Sequence, residues 1–488
     1  MERAEAEAIY DSGREACVEF LVEMTARYER QIARLEGRIE RLEEQAGQSS
    51  RNSSKPPSQD PPKTRQERRT QARAKAKELL RAEAERRKAG AQPGRRGSGR
   101  RLAPEDQVDE IVEHYPESCA GCGHDFSEQE HSPSGRFGRH QVSELPATSV
   151  IVSEHRTHRL RCPHCQARTA AQLPAELGSS AFGPRLQAAV VTMSARNRIS
   201  RRDMAELAGE LFGLQLSVGA VDAICQRTSA ALAEPHERLQ ATVFRSPALN
   251  VDETGWRTAG EGRTLWTATT SAAAIFWVAE DRHRERFEEL IGADYGGIVC
   301  SDRWWAYDHL DPDCRQACWE HLKRDFIRHS EGLAEQKAFG EAGLAATKRL
   351  FAGWHAFEAD QDRGRLGSQM AAIQAELRAL LERAARKSKR TRHHGRFARN
   401  LLKIWPALWT FVTVEGVEPT NNAAERSLRG PVIHRKLSHG TRTEDGERFI
   451  ERALSASVTC RLQGRSLFAY LTGLLTARAH GQTLPALA

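Results

Sequence analysis

Residues 47 to 101 cannot belong to any packed core, and that fact divides everything else in the chain. The stretch opens as GQSSRNSSKPPSQDPPK, Ser, Asn and Pro with no apolar side chain to offset the entropy of ordering it. From Pro61 to Arg101 it continues with fifteen Lys or Arg against four Glu, a surplus of eleven that exceeds the net +8 of all 488 residues. The basic character therefore sits in a tether, and the rest of the chain is slightly acidic. The segments on either side must fold separately, and roughly 100 to 200 residues per domain predicts about three domains. A solvated charge run is the plain reading of such a tether; the modules that follow it favour contact with a polyanion.

Ahead of the tether, residues 1–46 carry a heptad pattern. Val18, Thr25, Ile32 and Ile39 fall at one core position, and Leu21, Tyr28, Leu35 and Leu42 at the other. Ile at a with Leu at d favours a parallel dimeric coiled coil; an amphipathic helix docked on the body is the alternative. The start, MERAEAEAIYDSGREAC, lacks the basic opening and apolar centre of a secretory signal. The most apolar uncharged stretch, Thr264 to Ala279, is shorter than the roughly 18 residues of a membrane span. A cytoplasmic protein without a membrane partner is expected, its ten cysteines serving as thiols or metal ligands.

After the disordered basic linker of 47–104, residues 105–176 contain two CxxC pairs, Cys119-Ala-Gly-Cys122 and Cys162-Pro-His-Cys165. Each pair can present two thiolates to one tetrahedral ion, so the four predict a closed, structural zinc site. The 39 intervening residues alternate like strands that can bring the pairs together. His124 and His164 are read as bystanders. In 177–245 the pattern turns helical: Met204, Leu207, Ala208 and Leu211 form one stripe, Gly213 ends it, and Ser217 caps a second helix through Val221, Ile224 and Cys225. This is helix-turn-helix spacing. DNA reading by the second helix, with Arg227 near its end, competes with simple core packing.

From 246 to 484 the signals describe a mixed α/β core. ALNVDETGWR, RTLWTATTS and AIFWVAE read as strands, RERFEELI as a helix and GIVCSDRWWAY as a further strand. That order matches the start of a ribonuclease H-like fold. Asp252 and Asp302 fall at strand ends, where neighbouring strands bring carboxylates together. Such a pair is tolerable around a divalent cation, and oxygen-only ligation points to Mg²⁺ or Mn²⁺. A third acid, Glu425, follows Pro419 on a helix begun by Asn421 or Asn422. Asn422, Glu425 and Arg429 share its polar face, and Ala424 and Leu428 its apolar one. Capping or ion pairing explains any one of these acids taken alone. Between Asp302 and Glu425 lie 122 residues of mostly helical pattern, an insertion at about 327–410, with a second basic run from Arg386 to Arg399.

NVDETGWR, CSDRWWAY, CWEHLKRDF and PTNNAAERSLRGPVIHRK together resemble the transposases of the bacterial insertion sequence 66 family. The coil, the linker, the CxxC pairs and the tail ERALSASVTCRLQGRSLFAYLTGLL keep the order of that family, so the likeness spans nearly the whole chain. It implies a DNA transposase whose catalytic Asp, Asp and Glu are Asp252, Asp302 and Glu425. Asp252 would bridge two metal ions, Asp302 hold one and Glu425 the other, for in-line cleavage and strand transfer on DNA. Cys318 and His321 resemble a CxxH element of several transposase families, supporting the site or, with Cys314, holding a metal of their own. Arg324, Arg426 and Arg429 would clamp phosphates or pair with the acids. The implied partners are terminal inverted repeats, target DNA, a second copy of the chain and companion proteins of the element. Two other readings stay open: a non-catalytic zinc and helix-turn-helix regulator, and a metal-dependent nuclease of the same fold.

Overall fold

The computed structural model describes residues 10–48, 70, 102–128, 138–146, 149–174, 177, 180–292, 294–332, 334–386 and 392–487. Almost all of the tether lies outside them, as do residues 387–391 of the second basic run. The chain divides into two compact units, residues 66–151 with 211–213 and the remainder. The smaller unit contains the first CxxC pair in a tight turn. The larger one contains the other elements named below, except for residues 211 and 212 at the end of one helix.

Helix α1, Arg14–Gly47, is 34 residues long. Its heptad side chains Val18, Leu21, Tyr28, Ile32 and Leu35 are all more than half exposed, so the helix is not docked through its apolar seam. A short antiparallel hairpin, β1 (Arg159–Arg161) with β2 (Arg168–Ala170), follows the smaller unit. Four helices come next: α2 (Pro184–Ala195), α3 (Arg201–Phe212), α4 (Val218–Ala231) and α5 (Ala233–Phe244). The expected helix pair forms. Met204 and Ala208 are buried on α3, Gly213 ends that helix at φ 62°, and Ser217 Oγ accepts from the Ala220 N–H at 3.1 Å to cap α4. Val221, Ile224 and Cys225 of α4 are fully buried. Its exposed face presents Val218, Gly219, Asp222, Ala223 and Ala230 without a cation, and Arg227 donates to Gln187 at 3.4 Å. Such a face has little to offer a base edge or a phosphate.

The sheet that follows is built as the alternation demands: β3 (Ala248–Thr258), β4 (Glu261–Thr269), β5 (Ala274–Ala279), helix α6 (Arg284–Ile291), then β6 (Ile298–Ser301) and β7 (Arg315–Ala317). Its order is β5-β4-β3-β6-β7, with β4 antiparallel to β3 and β5, and β6 parallel to β3 and β7. A helical block leaves β7 directly: α7 (Trp319–Ser330), α8 (Ala334–Asp360), α9 (Arg363–Ala385), α10 (Arg392–Lys403) and α11 (Thr410–Thr413). It starts earlier than the 327–410 reading because Trp319 itself is buried in it, its indole N–H donating to Leu408 O at 2.7 Å. Three helices close the chain: α12 (Asn422–Ser438), α13 (Glu444–Leu462) and α14 (Leu467–Ala479).

Two hydrophobic cores result. One joins α2 to α5, the antiparallel half of the sheet, α13 and α14; the other runs from Cys300 and Ala317 into the helical block. Both sheet edges are covered, which removes the unpaired N–H groups that invite aggregation. On β5 the N–H groups of Ala274, Phe276 and Val278 donate to Thr459 Oγ1 (3.0 Å), Ser455 Oγ (2.9 Å) and Glu451 Oε1 (2.8 Å), three side chains one turn apart on α13. On β7, Thr410 Oγ1 donates to Arg315 O (2.6 Å) and Gln316 Oε1 accepts from Phe411 N–H (2.9 Å).

Candidate active site

The parallel ladder between β3 and β6 sets the geometry of the first two acids. It pairs Ala248 with Ile298, Leu249 with Val299 and Asn250 with Cys300. Asp252 and Asp302 each stand two residues beyond the last pair, so the register carries both to the same end of adjacent strands. Asp252 is not at a strand end, as the sequence pattern implied. It lies within β3, which continues against β4 to Thr258, and what ends at this point is only the pairing with β6. Asp252 Oδ1 accepts from Glu253 N–H (2.9 Å), and Asp302 Oδ1 from Trp304 N–H (2.8 Å). Burial, followed by the charges of Glu253, Asp302 and Glu425, holds the Asp252 carboxyl well above the usual carboxylate range.

Glu425 reaches this region because α12 is fastened along β3 at both ends. At its start, Asn421 Nδ2 donates to Val251 O (2.7 Å), one residue from Asp252, and Asn421 N–H donates to Cys318 Sγ (3.2 Å). Near its end, Arg435 Nη1 donates to Thr254 Oγ1 (3.2 Å), and Thr441 N–H donates to Arg257 O (2.9 Å). Gly440 sits at φ 106° with its α-carbon so close that a β-carbon would lie 2.1 Å from Arg257 O. Only glycine fits there. Ala424 and Leu428 face the core as the pattern predicts, while Arg426 and Arg429 are exposed and Asn422 is half-buried. Among the described residues, none of Arg324, Arg426 and Arg429 forms an ion pair with the three acids.

The third acid also meets a second set of donors. Cys318, His321 and Glu425 offer ligand atoms all within 4.8 Å of one another, the one such trio among the described residues. Asp252, Asp302 and Glu425 do not close to that distance as a trio, and Cys314 is not a member of this one. His321 Nδ1 lies 3.9 Å from Glu425 Oε1 and is buried without a hydrogen-bond partner. Burial, with Arg324 adding to it against the pull of Asp302 and Glu425, depresses the imidazole. Cys318 is pushed up to about 11, chiefly by burial, so its sulfur is a thiol that accepts the Asn421 N–H. Thiol, imidazole and carboxylate suit a zinc-like ion; the paired aspartates suit a harder one.

Five further residues that spacing did not single out shape this site. Tyr307, fully buried, donates to Glu253 Oε2 (2.9 Å), and Arg282 pairs with Glu253 Oε1 (2.9 Å) while stacking 3.6 Å over the Trp304 ring. Burial first, then Asp302, pushes the Glu253 carboxyl up to about 7. Arg315, 1% exposed, donates to Asp302 O (2.7 Å) and Tyr307 O (3.0 Å) and so fastens the loop after β6. The adjoining acid in VDET and the Tyr of WWAY were the available signals.

Each CxxC pair forms a tight turn of its own. Cys119 N–H donates to His124 O (2.8 Å) and Gly123 N–H to Cys119 O (2.8 Å), with Gly123 at φ 78°. Cys162 N–H donates to Ala167 O (2.8 Å) and Gln166 N–H to Cys162 O (2.9 Å), with Gln166 at φ 63°. Backbone N–H groups of Gly121 and Cys122 point at the Cys119 sulfur, and those of Cys165 and His164 at Cys162. Both thiols are lowered by this, the state metal binding needs.

A family model described as "Transposase IS66 family" matches residues 179–448, more than half of the chain, and spans Asp252, Asp302 and Glu425. The chain belongs to the IS66 family of transposases. A second model, a family of unknown function called DUF6444, matches residues 2–101. Two relatives from Sinorhizobium fredii (strain NBRC 101917 / NGR234) are uncharacterized proteins. One, y4hP, is 24% identical over 76% of this chain and 72% of its own length; the other, y4qI, is 25% identical over 83% and 78%. Membership in an IS66 family implies DNA transposition. Among the described residues no helix is long and apolar enough to cross a membrane.

Proposed function

We propose that the protein binds element ends and catalyses 3′-end cleavage and strand transfer on a ribonuclease H-like core, with Asp252, Asp302 and Glu425 as the catalytic acids. The observation that carries this reading is positional: equal offsets from the β3–β6 ladder for the two aspartates, and a helix fastened along β3 that carries the glutamate. A sheet of order β5-β4-β3-β6-β7, antiparallel then parallel, supports the ribonuclease H likeness. Asp252 is desolvated beside other acids, Asp302 and Glu425 are half-buried, and none of the three has a Lys or Arg ion-pair partner among the described residues, which fits a hard divalent cation. Mg²⁺ or Mn²⁺ held by these acids would activate the attacking oxygen and stabilise the departing 3′ oxygen. Arg324, Arg426 and Arg429 hold the phosphates in line. Water opens the first phosphodiester, and the 3′-hydroxyl so released attacks a target phosphodiester, with no covalent enzyme intermediate. Asn422 and the Cys318–His321 pair support Glu425.

The four CxxC cysteines would hold a structural zinc, α1 would pair with a second copy, and the reaction would take place on the nucleoid in the cytoplasm, with companion proteins of the element. The test uses purified full chain, Mg²⁺ and element-end DNA, scored for nicking and joining. Asp302→Asn or Glu425→Gln should abolish both products and spare binding. Binding with neither product in the wild type favours the regulator, and nicking without joining favours the nuclease.

A further inference from the structure

Along the same strand and helix as the acids opens a cleft of about 400 Å³. Arg196 and Arg198 enter it from the connection between α2 and α3, Asn250 from β3, Arg426 from α12 and Arg461 from the end of α13; Glu418 is the acid in its lining. Arg196 is held by Ser457, donating to its carbonyl at 2.7 Å. Arg198, Arg426 and Arg461 make no side-chain hydrogen bond or ion pair among the described residues. Four guanidiniums thus line the cleft with one carboxyl, whose proton is favoured by burial and opposed by Arg426. Burial and the neighbouring Arg461 lower Arg196 within the cleft, and outside its lining His434 is pushed down to about 4 by burial and by Arg201 and Arg198. Arg198 holds left-handed backbone, φ 64°, which a glycine would adopt more readily.

One more group narrows the occupant. Asn250 Oδ1 is buried without a hydrogen-bond donor. A phosphodiester oxygen supplies none, whereas the amino group of a base edge does. Asn250 also lies two residues along β3 from Asp252, about 7 Å at strand spacing, or roughly two rises of one strand in a duplex. We propose that this cleft receives a nucleotide unit of the DNA strand that passes the acids, its phosphate on the arginines and its base against Asn250. The assignment rests on the transposase reading and adds a binding subsite to it.

The test is salt-dependent binding of element-end DNA to the full chain. Arg198→Gln with Arg461→Gln should lower affinity at least about tenfold and make the log affinity against log salt slope shallower by about one to two. Arg198→Lys with Arg461→Lys should keep the slope, and Arg257→Gln, at the exposed far end of β3, should change neither quantity. Wild-type affinity and slope in a folded double Gln variant would overturn the proposal. If the wild type binds no DNA, the transposase reading fails by itself. The cleft is then probed by thermal shift with inorganic phosphate: stabilisation lost in the Gln variant reassigns it to free anions, and no stabilisation dismisses it as an anion site.

Discussion

Asn421 shows how far a side chain can depart from its local role. The spacing reads it as a helix start, and it does precede α12, yet its side chain, 1% exposed, caps nothing and instead donates to Val251 O. Asn421→Ala leaves that buried carbonyl unpaired, a loss of about 1–3 kcal/mol, and frees the start of the helix that carries Glu425. Denaturant melts should show the loss, and strand cleavage should fall more than DNA affinity. Equal cleavage at matched saturation would leave Asn421 a purely structural residue. His236 offers a test of burial. Its imidazole is pushed down to about 4, mainly by burial and then by Arg452. Between that value and an unfolded value of about 6.5 the folded chain binds fewer protons than the unfolded one. Stability is therefore complete above the unfolded value and is lost as pH falls toward 4, by up to about 3 kcal/mol. His236→Gln should flatten the pH dependence of unfolding across that window; an unchanged slope would refute the assignment.

Among elements, α13 has the least expected task. The fold reveals that its Glu451, Ser455 and Thr459 supply the acceptors for the free edge of β5. Ser455→Ala and Thr459→Val each orphan a buried strand N–H, so each should cost about 1–3 kcal/mol in equilibrium unfolding. Neutral values would mean that water takes over the edge. The two CxxC turns are the opposite case, legible from spacing because a knuckle is a local structure. They lie in different compact units. Metal analysis of purified protein should return one zinc per chain, and Cys119→Ser or Cys162→Ser should each lose it. Retention in either variant would exclude a shared four-cysteine site.

For the whole molecule, the exposed seam of α1 bears on assembly. Val18, Leu21, Ile32 and Leu35 form an unpartnered apolar stripe, and a short coiled coil is stable only with its partner. The full chain should be dimeric by light scattering, and Leu21→Asp with Ile32→Asp should make it monomeric; a variant that stays dimeric would place the interface elsewhere. Much of the architecture was open to sequence reasoning because its causes are local. Alternation marked the strands, and Gly213 and Ser217 the helix ends. The acids could be named as residue types at strand and helix positions. Their arrangement could not, since it depends on the β3–β6 register, on Asn421 and Gly440 clamping α12 to β3, and on Arg315 fastening the loop after Asp302. The arginine cleft was equally invisible, because its cations come from segments more than two hundred residues apart, Arg198 and Arg461 among them. The sequence by itself determined which elements form and what chemistry they carry, through propensities acting over a few residues. Tertiary structure alone decided which charges are buried together, since desolvation and proximity exist only once distant segments have packed.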